Sequence, residues 1–127
     1  MDLYEAMYTT RAMRRVKPDP IPDETLGRLF DAAVRGPSGG NRHTFRFLTV
    51  TDKEMMKKIK DIYHDAYWEL QETSYAEVQT KLKEGDPNDP SVKQTRRISN
   101  SAEYFVEYLD QHPMLIFVFG KQGGEST

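Results

Sequence analysis

An unbroken apolar run near the end of the chain, Met114 to Phe119, constrains the fold more than any other stretch. It shows no polar alternation, which predicts a strand covered on both faces, as in an α/β or α+β sheet flanked by helices. A second strand is predicted from Phe45 to Thr51, where alternate residues point to opposite faces. Because a lone pair of strands is marginal in water, we expect further strands from partner chains or from a longer polypeptide.

Apolar side chains recur at helical spacing before, between and after these strands. A short helix is predicted around Leu3, and a second over 23–35, ended by Arg35-Gly36-Pro37. Capping-box patterns at Thr51–Glu54 and Asn100–Glu103 predict two further helix starts, and the third helix is expected to continue in more polar form from Ser74 to Lys83. The Gly85–Pro90 break is interpreted as a surface loop, so residues 1–127 are predicted to form a single domain.

Composition excludes several classes of function. The chain has 127 residues, no cysteine and a formal net charge of -2, with a sequence pI near 5.9. These values argue against a general nucleic-acid binder, a disulfide scaffold and a thiolate nucleophile. There is neither an apolar run of about 20 residues nor a basic leader, so we expect a cytoplasmic protein that does not bind membranes. With 30% charged residues, its core is expected to be thin unless another chain covers part of it.

A polar, glycine-rich turn, 36–47, joins the second predicted helix to the first strand. Gly36, Gly39 and Gly40 can take positive φ, and the turn carries Arg42 and His43 but no acid. Backbone N–H groups in such a turn concentrate positive potential and suit an anionic or carbonyl-rich ligand. A purely structural helix-to-strand connection explains the same residues.

Four positive charges stand in seven residues just upstream: Arg11, Arg14, Arg15 and Lys17. Prolines at 18, 20 and 22 then impose an extended path. One interpretation is a solvated basic face. The other is a phosphate clamp, because guanidinium groups bind phosphate through two parallel hydrogen bonds.

The long third helix is aromatic on two adjacent faces, with Tyr63, His64, Tyr67 and Trp68. These side chains could line a pocket for a flat ligand, although core or dimer packing is the favoured interpretation. Only neighbouring acids accompany His64, so no metal site is predicted.

Two sequence blocks together resemble the N-terminal signature of the nitroreductase family. The first runs from Thr10 to Glu24 (TRAMRRVKPDPIPDE) and the second from Ala32 to Phe47 (AAVRGPSGGNRHTFRF). The resemblance implies an FMN-dependent NAD(P)H oxidoreductase with an α+β fold. In that fold, arranged as three α/β/α layers, helices flank a mainly antiparallel sheet. The sheet would be incomplete in this chain and completed in an intertwined homodimer or by a missing C-terminal half.

The resemblance also implies roles for particular residues, with flavin sites at the subunit interface of a homodimer. The basic cluster would bind the FMN phosphate and the polar edge of the ring, and the loop would line the flavin. No protein group is expected to be catalytic, because the flavin carries the hydride chemistry. Substrate contacts are assigned to His43 and Thr44. The cofactor contacts implied are Arg11, Ala12, Arg14, Arg15, Pro37, Ser38, Gly39 and Asn41.

The leading hypothesis is therefore an enzyme that passes hydride from NAD(P)H through FMN to nitroaromatics, quinones or similar flat acceptors. An alternative is a non-catalytic flavin- or nucleotide-binding remnant or truncated subunit. A third is a helical interaction protein in which the arginines are merely solvated.

Overall fold

The computed structural model describes residues 2–120 and contains helices and strands in an α+β order. The elements, in chain order, are α1 (Leu3–Thr9), α2 (Asp23–Ala33), a 3₁₀ turn (Gly39–Asn41), β1 (Arg46–Val50), α3 (Lys53–Glu72), α4 (Ala76–Glu84), α5 (Pro90–Glu107), a second 3₁₀ turn (Leu109–Gln111) and β2 (Leu115–Phe119). They divide into two compact units, which within the described residues comprise 2–16 with 59–109, and 17–58 with 110–120.

The first unit is helical, and its buried apolar residues come from the last long helix and the turn that follows it. Val92, Val106 and Leu109 are each at most 4% exposed. Two polar side chains, Gln71 and Ser99, are buried as well. Both are hydrogen-bonded: Gln71 Oε1 accepts from Gln79 Nε2 at 2.9 Å, and Ser99 Oγ donates to Glu103 Oε1 at 2.9 Å. Their hydrogen bonds offset the cost of removing them from water.

The last long helix begins earlier than the sequence predicted. Asp89 is its N-cap, and its carboxylate accepts hydrogen bonds from the backbone N–H groups of Ser91 and Val92. Pro90 occupies the first helical position, where its missing N–H costs nothing. The helix start predicted at Asn100–Glu103 is therefore wrong, since Asn100 lies inside α5.

The third helix differs at both ends from its prediction. Its first turn is capped by Asp52, whose Oδ1 accepts from the Met55 N–H at 2.8 Å, rather than by Thr51. It ends at Glu72, so the expected continuation from Ser74 is interrupted before α4 begins at Ala76. After α4, the turn needs Gly85, because a Cβ there would lie 2.5 Å from the Lys81 carbonyl oxygen.

The second unit contains a two-stranded antiparallel sheet in which Arg46 pairs with Phe119 and Val50 with Leu115. Phe30 of α2 packs on Phe47 of β1 with ring centroids 5.4 Å apart. Within the described chain, β2 is not covered on both faces as predicted, since Val118 is 62% exposed and Phe119 is 54% exposed. An apolar strand with such exposed side chains lacks the covering layer that its sequence predicts.

Candidate functional site

The basic segment, residues 10–17, follows α1 without entering a helix or strand. Thr10 is the C-cap of α1, and its backbone N–H donates to the Ala6 carbonyl at 3.0 Å. Downstream, the prolines at 18, 20 and 22 exclude a helix. The chain therefore presents its cations on backbone without regular secondary structure.

The arginines of the basic segment lack carboxylate partners in the described part of the chain. Arg11 and Arg15 are exposed and Arg14 is half-buried, and none of the three joins an ion pair there. By contrast, Arg35 pairs with Asp31 at 2.8 Å. Ala12, which follows Arg11, is exposed and carries no charge. Three uncompensated guanidinium groups form a donor set that fits a phosphate monoester.

An aromatic ring lies against one of these arginines. The Arg15 guanidinium carbon is 4.1 Å from the centroid of the Tyr104 ring. The ring of Tyr104 also lies 4.5 Å from that of Tyr108, the C-cap of α5, and the two rings are tilted by 37°. Sequence reasoning missed Tyr104, because no local pattern links a helical tyrosine to a cation so distant in the chain.

The charge of the basic segment also affects the pKa of a second tyrosine, Tyr67. Burial and then the Glu103 carboxylate raise the pKa of Tyr67, while the Ser99 side chain and the Arg14 charge act in the opposite direction. The phenol of Tyr67 is therefore protonated at neutral pH. Tyr67 also borders a cavity of about 420 Å³ whose other lining residues include Tyr63, Gln71 and Ser99. The expectation that the aromatic helix could line a pocket thus has a structural counterpart.

His64 is part of a local hydrogen-bond arrangement. Its Nε2 accepts from the Trp68 indole N–H at 3.1 Å, and its Nδ1 lies 3.3 Å from Asp65 Oδ1. The same Nε2 lies 3.5 Å from Glu107 Oε1. Across residues 2–120, no group of three or more His, Asp or Glu side chains is placed to hold a metal ion. No described helix is long and apolar enough to span a bilayer.

The glycine loop, residues 36–43, is braced by its own hydrogen bonds. The backbone N–H of Asn41 donates to the Ser38 carbonyl at 2.8 Å, and that of His43 donates to the Ser38 hydroxyl at 3.0 Å. Just beyond the loop, Arg46 Nη1 donates to the carbonyls of His43 and Phe45, at 3.3 and 2.9 Å. Ser38 therefore organises the loop from within, and Arg46 closes it from the strand.

Backbone strain is concentrated in this loop. Gly40, Asn41 and His43 have φ values of 60°, 54° and 46°. Glycine and asparagine tolerate this left-handed region, whereas histidine does so at a higher energy. Strained backbone of this kind clusters at ligand-binding sites, where the surrounding structure maintains it.

The proposed substrate contacts, His43 and Thr44, are both exposed. The His43 ring meets the Phe45 ring edge-on, with centroids 5.8 Å apart. The arginines of the basic segment belong to the helical unit, and Pro37, Ser38, Gly39 and Asn41 belong to the sheet unit.

Comparison with known proteins identifies the chain's relatives. Iodotyrosine deiodinase 1 of Rattus norvegicus is 28% identical over 97% of this chain and 38% of its own length. A provisionally named NADH dehydrogenase/NAD(P)H nitroreductase of Methanothermobacter thermautotrophicus is 33% identical over 50% of this chain and 33% of its own length. The chain thus spans about a third of the length of these curated relatives.

The fold also has a counterpart among solved structures. A BluB-like flavoprotein from Clostridium difficile 630 superposes with a TM-score of 0.58 and 25% identity, covering 95% of this chain and 49% of that one. The family model of the nitroreductase family matches residues 7–126. That match includes the basic segment, the glycine loop and both strands, and it confirms the resemblance and the α+β fold predicted from the sequence. The chain is a member of the nitroreductase family.

Proposed function

We propose that this chain is the flavin-binding part of an FMN-dependent oxidoreductase. In this proposal, hydride passes from NAD(P)H through FMN to nitroaromatics, quinones or similar flat acceptors. The observation that carries it is a run of arginines, inside the segment matched by the family, that form no ion pair with a carboxylate among residues 2–120. Such a run binds a phosphate without first breaking an ion pair, so little binding energy is lost to rearrangement.

Each part of the site has a distinct task in the proposal. Arg11 binds the FMN phosphate, while Arg14 faces the N1/O2 edge of the ring and stabilises negative charge there. The glycine loop lines the flavin, and His43 and Thr44 contact the acceptor. Bound FMN supplies the hydride-transfer chemistry, so the protein needs only to bind and orient.

The test compares two ligands that differ by one phosphate. FMN and riboflavin are titrated into the wild-type protein and the Arg11→Ala variant, with flavin fluorescence as the readout. Because a hydrogen bond to a charged group is worth about 1.5–3 kcal/mol, FMN affinity should fall by about 10- to 150-fold. Riboflavin affinity should change little.

The matched control is Arg35→Ala, which removes an arginine already paired with Asp31 and should leave FMN affinity unchanged. Equal losses of FMN and riboflavin affinity in Arg11→Ala would contradict the phosphate role. Bound FMN without any oxidation of NAD(P)H would favour the non-catalytic alternative instead.

A second candidate reaction is reductive deiodination of an iodotyrosine, in which two electrons from reduced FMN, when bound, and one proton would replace the aromatic C–I bond by C–H and release iodide. It is favoured by the extent of the similarity, because the rat deiodinase aligns over 97% of this chain and the nitroreductase relative over 50%. Iodide release measured beside nitroaromatic reduction on the same preparation separates the two reactions.

We also propose that the chain works as a homodimer with flavin sites at the subunit interface. Exposed apolar side chains in both units support this, among them Met7 at 66% and Val118 at 62%. Flavin binding and association would then be linked, so FMN should raise the dimer fraction. Sedimentation equilibrium over a dilution series, with and without FMN, provides the measurement. A compact monomer under both conditions would rule the dimer out.

A further inference from the structure

We propose that Tyr104 is a positioning residue for anion binding, which holds the Arg15 guanidinium so that its N–H edge is presented to a phosphate monoester. This inference rests on the proposed function and adds a residue that the basic segment does not contain. The observation behind it is the 4.1 Å separation between the Arg15 guanidinium carbon and the Tyr104 ring centroid.

A guanidinium group offers two different surfaces for recognition. Its flat face is attracted to the electron-rich face of an aromatic ring. Its N–H donors all lie in the plane of the group and point away from its edge. In the proposal, Arg15 packs this flat face on Tyr104, which fixes the orientation of the group without using the donors that a phosphate needs. A lysine ammonium has no separate flat face and donor edge, because its three N–H bonds all radiate from one nitrogen.

The ring is held on firmer structure than the arginine. Tyr104 lies in α5, two residues before Val106, which is 1% exposed. Its other neighbour is Tyr108, whose ring lies 4.5 Å away. Arg15 stands on backbone without secondary structure. Contact with the helix therefore restrains Arg15 of the basic segment. Because the side chain is already restrained, less conformational entropy is lost when it binds an anion.

The surrounding charges favour an anion at this edge of Arg15. Arg11 and Arg14 lie within four residues of it, and among the described residues no carboxylate forms an ion pair with any of the three. Glu103 precedes Tyr104 in α5, but its Oε1 accepts the hydrogen bond from the buried Ser99. The ligand class is therefore a phosphate monoester, of which FMN is the probe.

The experiment measures FMN and riboflavin affinities for the wild-type protein and for Tyr104→Leu, Tyr104→Phe and Arg15→Lys. The contact at an exposed site is worth about a two- to fivefold change in affinity. Tyr104→Leu should therefore lower FMN affinity by that factor and leave riboflavin affinity unchanged. Tyr104→Phe keeps the ring and should bind as the wild type does. Tyr75→Leu removes another exposed tyrosine of the same unit and is the matched control.

A second readout needs no flavin. In the ligand-free protein, the NMR signals of the Arg15 side chain should carry the ring-current shift of Tyr104, and this shift should disappear in Tyr104→Leu but persist in Tyr104→Phe. The double variant that carries both Arg15→Lys and Tyr104→Leu should bind FMN no more weakly than Arg15→Lys alone does. If Tyr104→Leu folds poorly, Arg15→Lys carries the test, because it leaves α5 intact. It should lower the affinity for FMN and leave the affinity for riboflavin unchanged.

The outcomes separate this inference from the proposed function. Suppose that the wild-type protein prefers FMN over riboflavin and that Tyr104→Leu and Arg15→Lys leave this preference unchanged. That result overturns the positioning role and leaves the proposed function standing. A wild-type protein with no such preference overturns both. Loss of FMN and riboflavin affinity in equal measure assigns Tyr104 a merely structural role and also overturns the inference.

Discussion

The basic segment and the glycine loop carry most of the candidate site residues, but different interactions hold them in place. The loop is fixed by bonds among residues near in sequence, with the Ser38 carbonyl and hydroxyl accepting from Asn41 and His43. The basic segment has no secondary structure, and Arg15 lies against Tyr104 of a distant helix. The loop is therefore encoded locally, whereas the segment depends on tertiary structure.

The arginines of the two regions differ in the same way. Arg46 donates to the carbonyls of His43 and Phe45, so part of its donor capacity already serves the fold. The Arg15 guanidinium carbon lies over the Tyr104 ring, and a contact through the flat face of the group would leave its in-plane N–H donors available. By this comparison, the number of cations near a loop overstates the number of N–H donors that are open to an anion. What matters is which N–H groups the protein has not already used.

The largest effect that would test this comparison is expected at Gly40 in the loop. Its φ of 60° is costly for alanine, so Gly40→Ala should lower the free energy of unfolding by about 1–2 kcal/mol. The new Cβ would lie 3.3 Å from Arg42 Nε, at the far end of a flexible side chain that can move aside. Urea denaturation followed by circular dichroism provides the measurement.

Gly36→Ala is the control for that experiment, because its Cβ would be 3.6 Å from the Ala33 carbonyl oxygen, an ordinary contact. Its stability should match that of the wild type. If the two alanine variants are equally stable, the loop is not held in the left-handed conformation and is less locally determined than its hydrogen bonds indicate.

A smaller effect is expected at Ser38. Ser38→Ala removes the hydroxyl that accepts from the His43 N–H at 3.0 Å, and the net loss should be about 0.5–1.5 kcal/mol. Hydrogen exchange of the His43 amide should accelerate correspondingly. Ser38→Thr keeps a hydroxyl and should preserve the protection. Unchanged exchange in the alanine variant would show that the loop is braced from elsewhere.

This contrast also explains what the sequence could predict. The turn after α2 and the β1 strand follow from glycine, proline and alternation over short distances, and the structure confirms these elements. The second helix is also present, but it ends at Ala33 and not at the predicted Arg35. The family blocks identified the nitroreductase fold because their residues are contiguous. Local signals were sufficient for the turn and the strand.

The failures have physical causes of the same kind. Asn100–Glu103 matched a capping box, yet α5 begins upstream, with Asp89 as its N-cap and Pro90 as its first residue. A match to a capping box does not show whether a helix has already begun at an earlier cap. The pairing of Tyr104 with Arg15 depends on how a helix packs, and neither residue signals the other in the sequence. The roles of Arg11, Pro37 and the other candidate site residues stay predictions.

The comparison can be sharpened further through Tyr67, which reports on the basic segment. Burial and then Glu103 raise the pKa of Tyr67 above its ordinary value of 10.0. The folded protein therefore retains a proton that the unfolded chain loses above about pH 10, and the free energy of unfolding should fall as the pH rises from that point through the folded pKa. Denaturation series across alkaline pH should show this decline, and Tyr67→Phe should reduce it.

The smallest expected effect is the contribution of Arg14, whose charge lowers the pKa of Tyr67 against the larger effects of burial and Glu103. Arg14→Ala should raise that pKa, because a nearby cation favours the phenolate, whereas Glu103→Gln should lower it. Ultraviolet titration of tyrosinate, with Tyr67→Phe to assign the signal, measures both shifts. Arg97→Gln removes another cation of the helical unit and is the control. If Arg14→Ala titrates as the wild type does, the basic segment is not held near α3, and its conformation depends less on tertiary contacts than the Tyr104 pairing indicates.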